Sequence, residues 1–316
     1  MTARIPKLCL LLTLLATRWA WAEGFPLPAP QDELIGAVTS VTASKDETLL
    51  DIARRYDIGQ NQILLSNPAV DRWLPNDGAE VTLPTMYILP RTERVGLVLN
   101  VPEMRLYYYP PHSPDLPDIV QTYPVSIGRM DWMTPLGTTR IADKTVDPVW
   151  RPTASVMAEH AAEGDILPQV VPAGPDNPLG KYAMRLAIPG YLIHGTNKPF
   201  GVGMRVSHGC VRMYPEDIEM LFPLIPVGTP VTIIDQPIKL GWLGDALYLE
   251  IHPPLEEEKI EEGLRQRVLD LVNAEWEKRR FVLDGAAFNK ALELQNGIPM
   301  AVGRSVEKTE SATVNP

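Results

Sequence analysis

Proline is the residue that most constrains the fold of this chain, because it occupies 32 of 316 positions. This is about twice its usual frequency, and the prolines recur from Pro26 to Pro230. A proline in a helix interior removes a backbone hydrogen bond and collides with the preceding turn. A bundle of long helices is therefore disfavoured, and short strands joined by turns are expected. Because 45 % of the residues are hydrophobic, the chain can still build a folded core.

Residues 94–236 carry the clearest strand pattern, which predicts a mainly β domain. Two apolar runs, at residues 95–101 and 104–109, flank a Pro-Glu turn and predict a hairpin. A stretch rich in proline and glycine, residues 148–178, interrupts the strands, and a loop of this length in a compact domain is often functional. Further strands are predicted at residues 122–128, 138–141, 182–188, 192–194 and 231–234.

The first 22 residues predict a secretory signal that is cleaved before Glu23. Arg4 and Lys7 precede an apolar run at residues 8–16, which is too short for a permanent membrane anchor. The segment ends in Ala-Trp-Ala, with small residues at the two positions that a signal peptidase recognises. We therefore expect an exported protein, and an uncleaved anchor is the alternative.

Charge and cysteine content restrict the function further. The formal net charge is −10, and loss of the basic signal makes the chain more acidic, so phosphates would be repelled and a nucleic-acid partner is excluded. Cys9 lies in the signal, and the exported protein keeps Cys210 as its single cysteine. A lone thiol in an oxidising compartment is expected to be either deeply buried or chemically employed.

Residues 23–36 are predicted to be a proline-rich linker, and residues 37–90 a small α+β unit. Apolar residues at positions 49, 52, 53 and 56 lie on one face of a helix for which Thr48 is a suitable N-cap. A second short helix ends at Asn67-Pro68, and a strand follows at residues 81–83, so the predicted order of the unit is strand, helix, helix, strand. The unit resembles a LysM domain, a peptidoglycan-binding module, and a structural module without a ligand is the alternative. The matching positions are residues 46–49, 52–53, 56–58, 64, 67–68, 74, 78 and 81–84.

Residues 237–316 are predicted to be a C-terminal extension that is partly helical. One strand is expected at residues 247–251. From Glu256 the chain becomes highly charged and keeps one apolar helix face. A second helix is expected after Asp284, with Asn296-Gly297 as its end. The final dozen residues are polar and are expected to be disordered.

The segment that carries chemistry contains His194 and, further along, the sequence Ser-His-Gly-Cys at residues 207–210. A thiol needs deprotonation to become a good nucleophile, and a nearby imidazole can take the proton. The residues themselves leave two candidate bases, His194 and His208. His194 is favoured because it can approach Cys210 from a neighbouring strand. Gly209 permits a tight turn whose amides can face a developing oxyanion.

This pattern resembles the catalytic motif of the YkuD-type L,D-transpeptidases, whose domain is a β-sandwich. The hairpin at residues 97–109, the Thr-Pro-Leu-Gly turn at residues 134–137 and Pro-Leu-Gly at residues 178–180 also resemble that family. With the LysM-like unit, the loop at residues 171–178 and the extension, the chain resembles the periplasmic subfamily that includes the enzymes anchoring Braun's lipoprotein.

The resemblance implies a role for each matching residue. Cys210 would be the nucleophile, His194 the general base, and the carbonyl of Gly195 the group that orients the imidazole. Arg212 stands where some members have asparagine, and it implies contact with a substrate carboxylate or a brace for the loop. The loop around the thiol would consist of Ser207, His208 and Gly209.

The implied reaction is acyl transfer on peptidoglycan. Cys210 would attack the carbonyl that joins the third residue of a tetrapeptide stem to its terminal D-Ala, which leaves behind a thioester. The acceptor amine would belong to a lysine of a Braun-type lipoprotein or to the diaminopimelate of another stem. Neither a metal nor an organic cofactor is needed.

Four other interpretations remain. Water could be the acceptor, which would make the protein a peptidase or carboxypeptidase, because the first half-reaction is shared. The thiol could be buried and inert. His194, His208 and Cys210 could bind zinc, although a structural site needs a fourth ligand. The protein could also be a non-catalytic scaffold that binds the wall.

Overall fold

The proline-bounded apolar runs form strands of one large sheet in the computed structural model, which describes residues 24–255 and 263–306. The predicted signal, the start of the helix expected at Glu256 and the last ten residues lie outside these ranges. None of the helices within them combines the length and the apolar character needed to cross a membrane. The strands of the large sheet are β1 Gly24–Pro26, β4 Gly96–Asn100, β5 Arg105–Tyr109, β6 Ile119–Gly128, β7 Gly137–Val146, β8 Tyr182–Leu186, β9 Leu192–His194, β10 Arg205–Ser207, β11 Val211–Met213 and β12 Pro230–Ile234. Helix α4, Pro215–Leu221, follows β11.

The large sheet closes on itself. Its order is β1-β6-β11-β9-β8-β7-β12-β4-β5, with β10 beside β6. The additional pairing of β5 with β6 completes the ring of hydrogen-bonded strands. Ten-residue β6 makes this possible, because residues 121–124 pair with β5 and residues 125–126 pair with β11. The domain is mainly β, as predicted, and a core of apolar side chains fills it.

The predicted hairpin is confirmed, since β4 and β5 pair from Gly96 with Tyr109 to Asn100 with Arg105. The long loop differs from the prediction because it contains a helix, α3, Ala154–Ala162. Thr153 caps this helix through a hydrogen bond from the Val156 amide. The sequence pattern did not predict this helix, because the helix is short and has one buried side chain.

The small α+β unit has the predicted order of strand, helix, helix and strand. Thr48 caps the first helix, and Asp51 completes a reciprocal capping box. The predicted linker differs, because residues 24–26 form β1 on the edge of β6 and residues 34–36 already belong to a strand of this unit. The elements are β2 Leu34–Thr42, α1 Leu49–Arg55, α2 Gln60–Ser66 and β3 Glu80–Ile88, with β2 and β3 antiparallel.

Helix α2 is joined to the large sheet through its first turn. Its N-cap residue Gly59 offers no side-chain hydrogen bond. The amides of Gln60 and Asn61 instead donate to the carbonyls of Val202 and Gly203, at 2.9 and 3.2 Å. These contacts satisfy amides that a helix start otherwise leaves unpaired. A Cβ at Gly203 would lie 2.3 Å from the nitrogen of Gln60, so only glycine allows this approach.

The C-terminal residues form a second sheet with its own apolar core, where one strand was predicted. Three of its four strands come from segments that the pattern did not identify, namely β13 Ile238–Leu243, β15 Phe281–Leu283 and β16 Met300–Ser305, and β15 has only three residues. Asp284 caps the last helix by accepting from the amides of Ala286 and Ala287, which confirms that expectation. The sheet order is β13-β14-β16-β15. The elements are β13 Ile238–Leu243, β14 Ala246–Ile251, α5 Leu264–Lys278, β15 Phe281–Leu283, α6 Gly285–Leu294 and β16 Met300–Ser305.

A buried group of charges joins the three parts. The Lys239 ammonium, on β13, lies 3.0 Å from a carboxylate oxygen of Glu103 and 2.7 Å from one of Glu250. It also donates to the carbonyl of Ile88, at the end of β3, at 2.6 Å. His252 adds a 2.6 Å contact to Glu250. Burial would raise the pKa of Glu103, but Lys239 and His252 together hold it below its usual value.

Candidate functional site

One cleft brings together the loop between β7 and β8 and the strands β8, β9 and β11. It has a volume of about 540 Å³. Trp150, Arg151 and Val156 line it from the loop side. The sheet side contributes the predicted site residues His194, Ser207, His208, Cys210 and Arg212.

Strand register explains why these side chains share a face. β11 runs parallel to β9, with Arg212 beside His194 and Val211 beside Ile193. Ile193 and Val211 are buried in the core of the large sheet. Because alternate residues of a strand point to opposite faces, His194 and Arg212 face the cleft. Cys210 immediately precedes β11 and opens onto the same cleft.

His194 is held as a neutral imidazole. Its side chain is buried, and its Nδ1 lies 2.6 Å from the carbonyl oxygen of Gly195. If Nδ1 carries the proton and donates to that oxygen, Nε2 keeps a lone pair. Burial lowers the pKa of His194 to about 3, and the positive charge of Arg212 contributes. His194 is therefore uncharged and able to accept a proton across the ordinary pH range.

Cys210 is held as a thiol. Its Sγ lies 3.7 Å from the carbonyl oxygen of Gly190. Burial raises the pKa of the Cys210 thiol above its ordinary value, while the Leu192 backbone and Arg212 act in the opposite direction. The resting site thus contains a neutral thiol and a neutral imidazole rather than a preformed ion pair.

The loop before Cys210 is fixed by its own side chains. The Ser207 hydroxyl donates to the carbonyl of Cys210 at 2.5 Å and accepts from the Gly209 amide at 3.2 Å. Gly209 has a φ of +98°, and a Cβ there would lie 2.6 Å from the ring of Tyr191. Thr134 supports the turn from behind, since its hydroxyl donates to the carbonyl of Gly209 at 3.0 Å. The sequence pattern assigned no role to the Thr134 side chain.

His208 is directed to helix α3. Its Nε2 lies 2.9 Å from a carboxylate oxygen of Glu159, and its ring meets Trp132 edge-on at 5.3 Å. Glu159 forms a second ion pair with Arg129. Arg129 and His208 lower the pKa of Glu159 to about 2. These contacts connect the loop over the cleft to the segment beside Cys210. The sequence analysis did not identify Glu159.

Two further residues shape the site. Arg212 is largely enclosed, and among the described residues its Nε has no hydrogen-bond partner. Asn177 is fully buried, and its amide nitrogen donates to the carbonyl of Pro148 at 2.8 Å and of Pro172 at 3.0 Å. Its side-chain oxygen accepts from the Leu179 amide at 2.9 Å. Asn177 therefore braces both ends of the long loop, a role that no local motif could reveal.

Within residues 24–255 and 263–306, the group of at least three His, Cys, Asp or Glu side chains close enough to share an ion is Glu103, Glu250 and His252. They lie in the buried charge group, and the Lys239 ammonium already contacts both carboxylates. Cys210 is not a member of this set.

Comparison with known proteins gives consistent matches. The family description "YkuD, L,D-transpeptidase catalytic domain" matches residues 94–233. "Probable L,D-transpeptidase ErfK/SrfK" of Escherichia coli K12 is 40 % identical over 308 residues, which cover 95 % of this chain and 97 % of that protein. "Probable L,D-transpeptidase YbiS" of the same strain is 44 % identical over 240 residues, covering 75 % and 77 %. The solved L,D-transpeptidase from Mycobacterium smegmatis has 20 % identity and a TM-score of 0.32, over 50 % and 63 % of the two chains.

Proposed function

The chain belongs to the L,D-transpeptidases with a YkuD catalytic domain, and from this membership we propose that Cys210 is its acyl-transferring nucleophile. One observation carries the assignment. The neutral His194 and the enclosed Arg212 lie side by side on the face of the sheet where Cys210 opens into the cleft. A base, a cationic group and a thiol are the parts that acyl transfer through a thioester requires.

The proposed first half-reaction starts from uncharged groups. The sulfur of Cys210 attacks the carbonyl that joins the third stem residue to the terminal D-Ala, and His194 Nε2 takes the thiol proton. The carbon–nitrogen bond then breaks, and His194 returns the proton to the amine of the departing D-Ala. Amides of the turn at Gly209 stabilise the oxyanion that forms between these steps. The Gly195 carbonyl keeps the imidazole in the required tautomer, a task that a carboxylate performs in other triads.

The second half-reaction transfers the acyl group to an amine. The amine attacks the thioester, its proton passes to His194, and the Cys210 thiol is restored. The acceptor that we propose is a lysine of a Braun-type lipoprotein or the diaminopimelate of another stem. Both are amines of the periplasm, where we place the protein after cleavage of its signal.

Arg212 is proposed to contact the carboxylate of the departing D-Ala. Arg212 lies beside the nucleophile and lines the cleft, and a guanidinium matches the geometry of a carboxylate. The positive charge of Arg212 acts to lower the pKa of the Cys210 thiol and that of His194. It therefore favours loss of the thiol proton but disfavours the imidazolium that receives it. The charge assists the reaction only when His194 can pass that proton on.

Product analysis tests the proposal. Purified protein is mixed with tetrapeptide muropeptides and a lipoprotein C-terminal peptide, and the products are identified by mass spectrometry. A lysine adduct indicates anchoring, a dimer indicates cross-linking, and a tripeptide indicates hydrolysis.

Cys210→Ala should abolish D-Ala release and the acyl-enzyme mass, and full activity in this variant would refute the assignment. His208→Ala is the matched control, because its loss should be much smaller than that of His194→Ala.

The α+β unit is proposed to be a LysM domain that binds glycan. Its strand, helix, helix, strand order supports this, and so does Trp73, which is 59 % exposed beside a groove at the end of α2. Aromatic rings of this kind suit sugar faces.

Trp73→Ala should reduce pull-down by purified sacculi severalfold. Trp276→Ala removes an exposed tryptophan from helix α5 and is the control. Equal pull-down of wild type and both variants would contradict glycan binding through Trp73.

A further inference from the structure

Two arginines line the catalytic cleft without a part in the proposed acyl transfer, namely Arg151 and Arg185. Arg185 lies on β8, opposite Leu192 of β9, and Ala183 lies opposite His194. Paired residues share a face, and alternate residues return to it. Arg185 therefore lies on the same face as His194, one strand away and two residues along.

The remaining register agrees with this placement. Met184 and Leu186 alternate with Arg185 on β8, and both are buried in the core of the large sheet. Arg212 lies beside His194 on the other flanking strand. Arg185 and Arg212 thus lie on either side of the imidazole, with Arg185 further from the thiol.

Arg151 approaches the cleft from the opposite wall. It directly follows Trp150, whose backbone pairs with Val171 to close the base of the long loop. Both Arg151 and Arg185 are exposed. Within the described parts of the chain, neither side chain has a hydrogen bond or an ion pair. Asp143 lies opposite Arg185 on β7, yet the two do not form an ion pair.

The charge of this cleft is opposite to that of the whole chain. The protein has 39 acidic and 29 basic side chains among Asp, Glu, Lys and Arg. The residues that line the cleft include three arginines and neither aspartate nor glutamate. A positive cleft in an acidic protein concentrates anionic ligands, and guanidinium groups match the geometry of carboxylates.

We propose that Arg185, assisted by Arg151, binds a carboxylate of the donor stem on the acyl side of the scissile bond. This deepens the proposed function and rests on it, because the substrate is then a peptide with several carboxylates. Arg212 is close to the thiol and suits the carboxylate of the departing D-Ala. Arg185 is displaced from the thiol along the sheet, and it suits a carboxylate that remains on the acyl-enzyme.

Substrate amidation provides the test. Two donor tetrapeptides are compared, one with its acyl-side carboxylate free and one with that group converted to a carboxamide. For the free acid, Arg185→Gln should raise KM about tenfold with little change in kcat, since it removes a charge-assisted hydrogen bond made equally before and during reaction. For the amide, the same variant should match wild type. Arg151→Gln should show the same pattern with a smaller change.

The control variant is Arg140→Gln, which removes an exposed arginine of β7 that does not line the cleft. The proposal is overturned if Arg185→Gln affects the acid and the amide equally, or affects neither. Calorimetric binding of both peptides gives an independent readout. If wild type releases no D-Ala, the proposed function fails, whereas selective loss of affinity for the acid in Arg185→Gln would still establish the carboxylate site.

Discussion

Cys210 and His194 acquire opposite pKa shifts from the same burial. Burial disfavours a charge on either group, so it raises the pKa of the thiol and lowers that of the imidazole. A preformed thiolate and imidazolium would need the reverse shifts. Proton transfer at this site is therefore expected to accompany the attack on substrate rather than precede it.

The pH dependence of D-Ala release should reflect this state. The base form of His194 exists above its pKa of about 3, whereas an ordinary histidine would lose it below 6.5. We expect kcat/KM to stay level from about pH 5 to pH 8 and to fall only in stronger acid. Circular dichroism at each pH verifies that the protein remains folded. An inflection between pH 6 and pH 7 that His208→Ala leaves unchanged would contradict a neutral resting His194.

Gly209 should tolerate no side chain. Gly209→Ala places a Cβ at a φ of +98° and 2.6 Å from the Tyr191 ring, so about 1–3 kcal/mol of backbone strain adds to a steric clash. We expect lower stability in urea unfolding and at least a tenfold loss of D-Ala release. Gly137→Ala is the control, since Gly137 has a φ of +118° with open space around it. Equal activity loss in both variants would assign the effect to backbone strain alone.

Sequence reasoning could group the candidate site residues at this scale because the thiol motif is local. The structure places His194, Gly195, Ser207 and Cys210 around one turn and one strand end. The sequence analysis did not identify Thr134, Glu159 and Asn177, and the reason is the same for all three. Their contacts join segments that are distant in sequence, and no local pattern records such contacts.

Helix α3 is the element that differs most from expectation, and it is held over the cleft by few contacts. It presents one buried side chain, Val156. Its connection to the sheet includes the pairs that Glu159 makes with His208 and Arg129. Both pairs are partly exposed to solvent, and such pairs are individually weak. The position of the helix should therefore depend on Glu159.

Alkylation of Cys210 measures that dependence. Glu159→Ala should increase the rate with a bulky maleimide severalfold and change the rate with iodoacetamide little, because a loosened helix admits the larger reagent. Peptide mapping assigns the modified cysteine. Glu163→Ala removes a carboxylate at the end of the same helix and serves as the control. If both reagents respond equally to Glu159→Ala, the carboxylate alters thiol reactivity rather than access.

Strands were predicted best where apolar runs are long and bounded by turn residues. The β4–β5 hairpin satisfies both conditions. Strand β15 has three residues and is specified by its pairing with β16, which is a tertiary effect. Closure of the large sheet was also not predictable, because it requires that both edges of β6 pair with other strands.

At the scale of the whole molecule, the buried charge group holds the C-terminal sheet against the others. Lys239 is fully enclosed between Glu103 and Glu250, and both carboxylates are equally buried. Such a group adds little stability compared with apolar packing, but loss of one partner leaves an uncompensated charge. The arrangement thus fixes how the parts are assembled.

Lys239→Met should destabilise the protein by about 3–5 kcal/mol in urea unfolding, because both carboxylates lose their cation. Lys290→Met removes an exposed lysine and should have almost no effect. The double variant Lys239→Met with Glu103→Gln should recover part of the loss, since one carboxylate is neutralised. A change below 1 kcal/mol in Lys239→Met would show that the carboxylates do not need this partner.

The close contact of Gly59 with Gly203 fixes the distance between the α+β unit and the large sheet. Since the first turn of α2 is bonded to carbonyls of the large sheet, the α+β unit cannot swing on a linker. Any sugar chain held by that unit would lie at a set spacing and angle from the thiol. The protein would then act on those stems of a bound glycan strand that reach the cleft at that spacing.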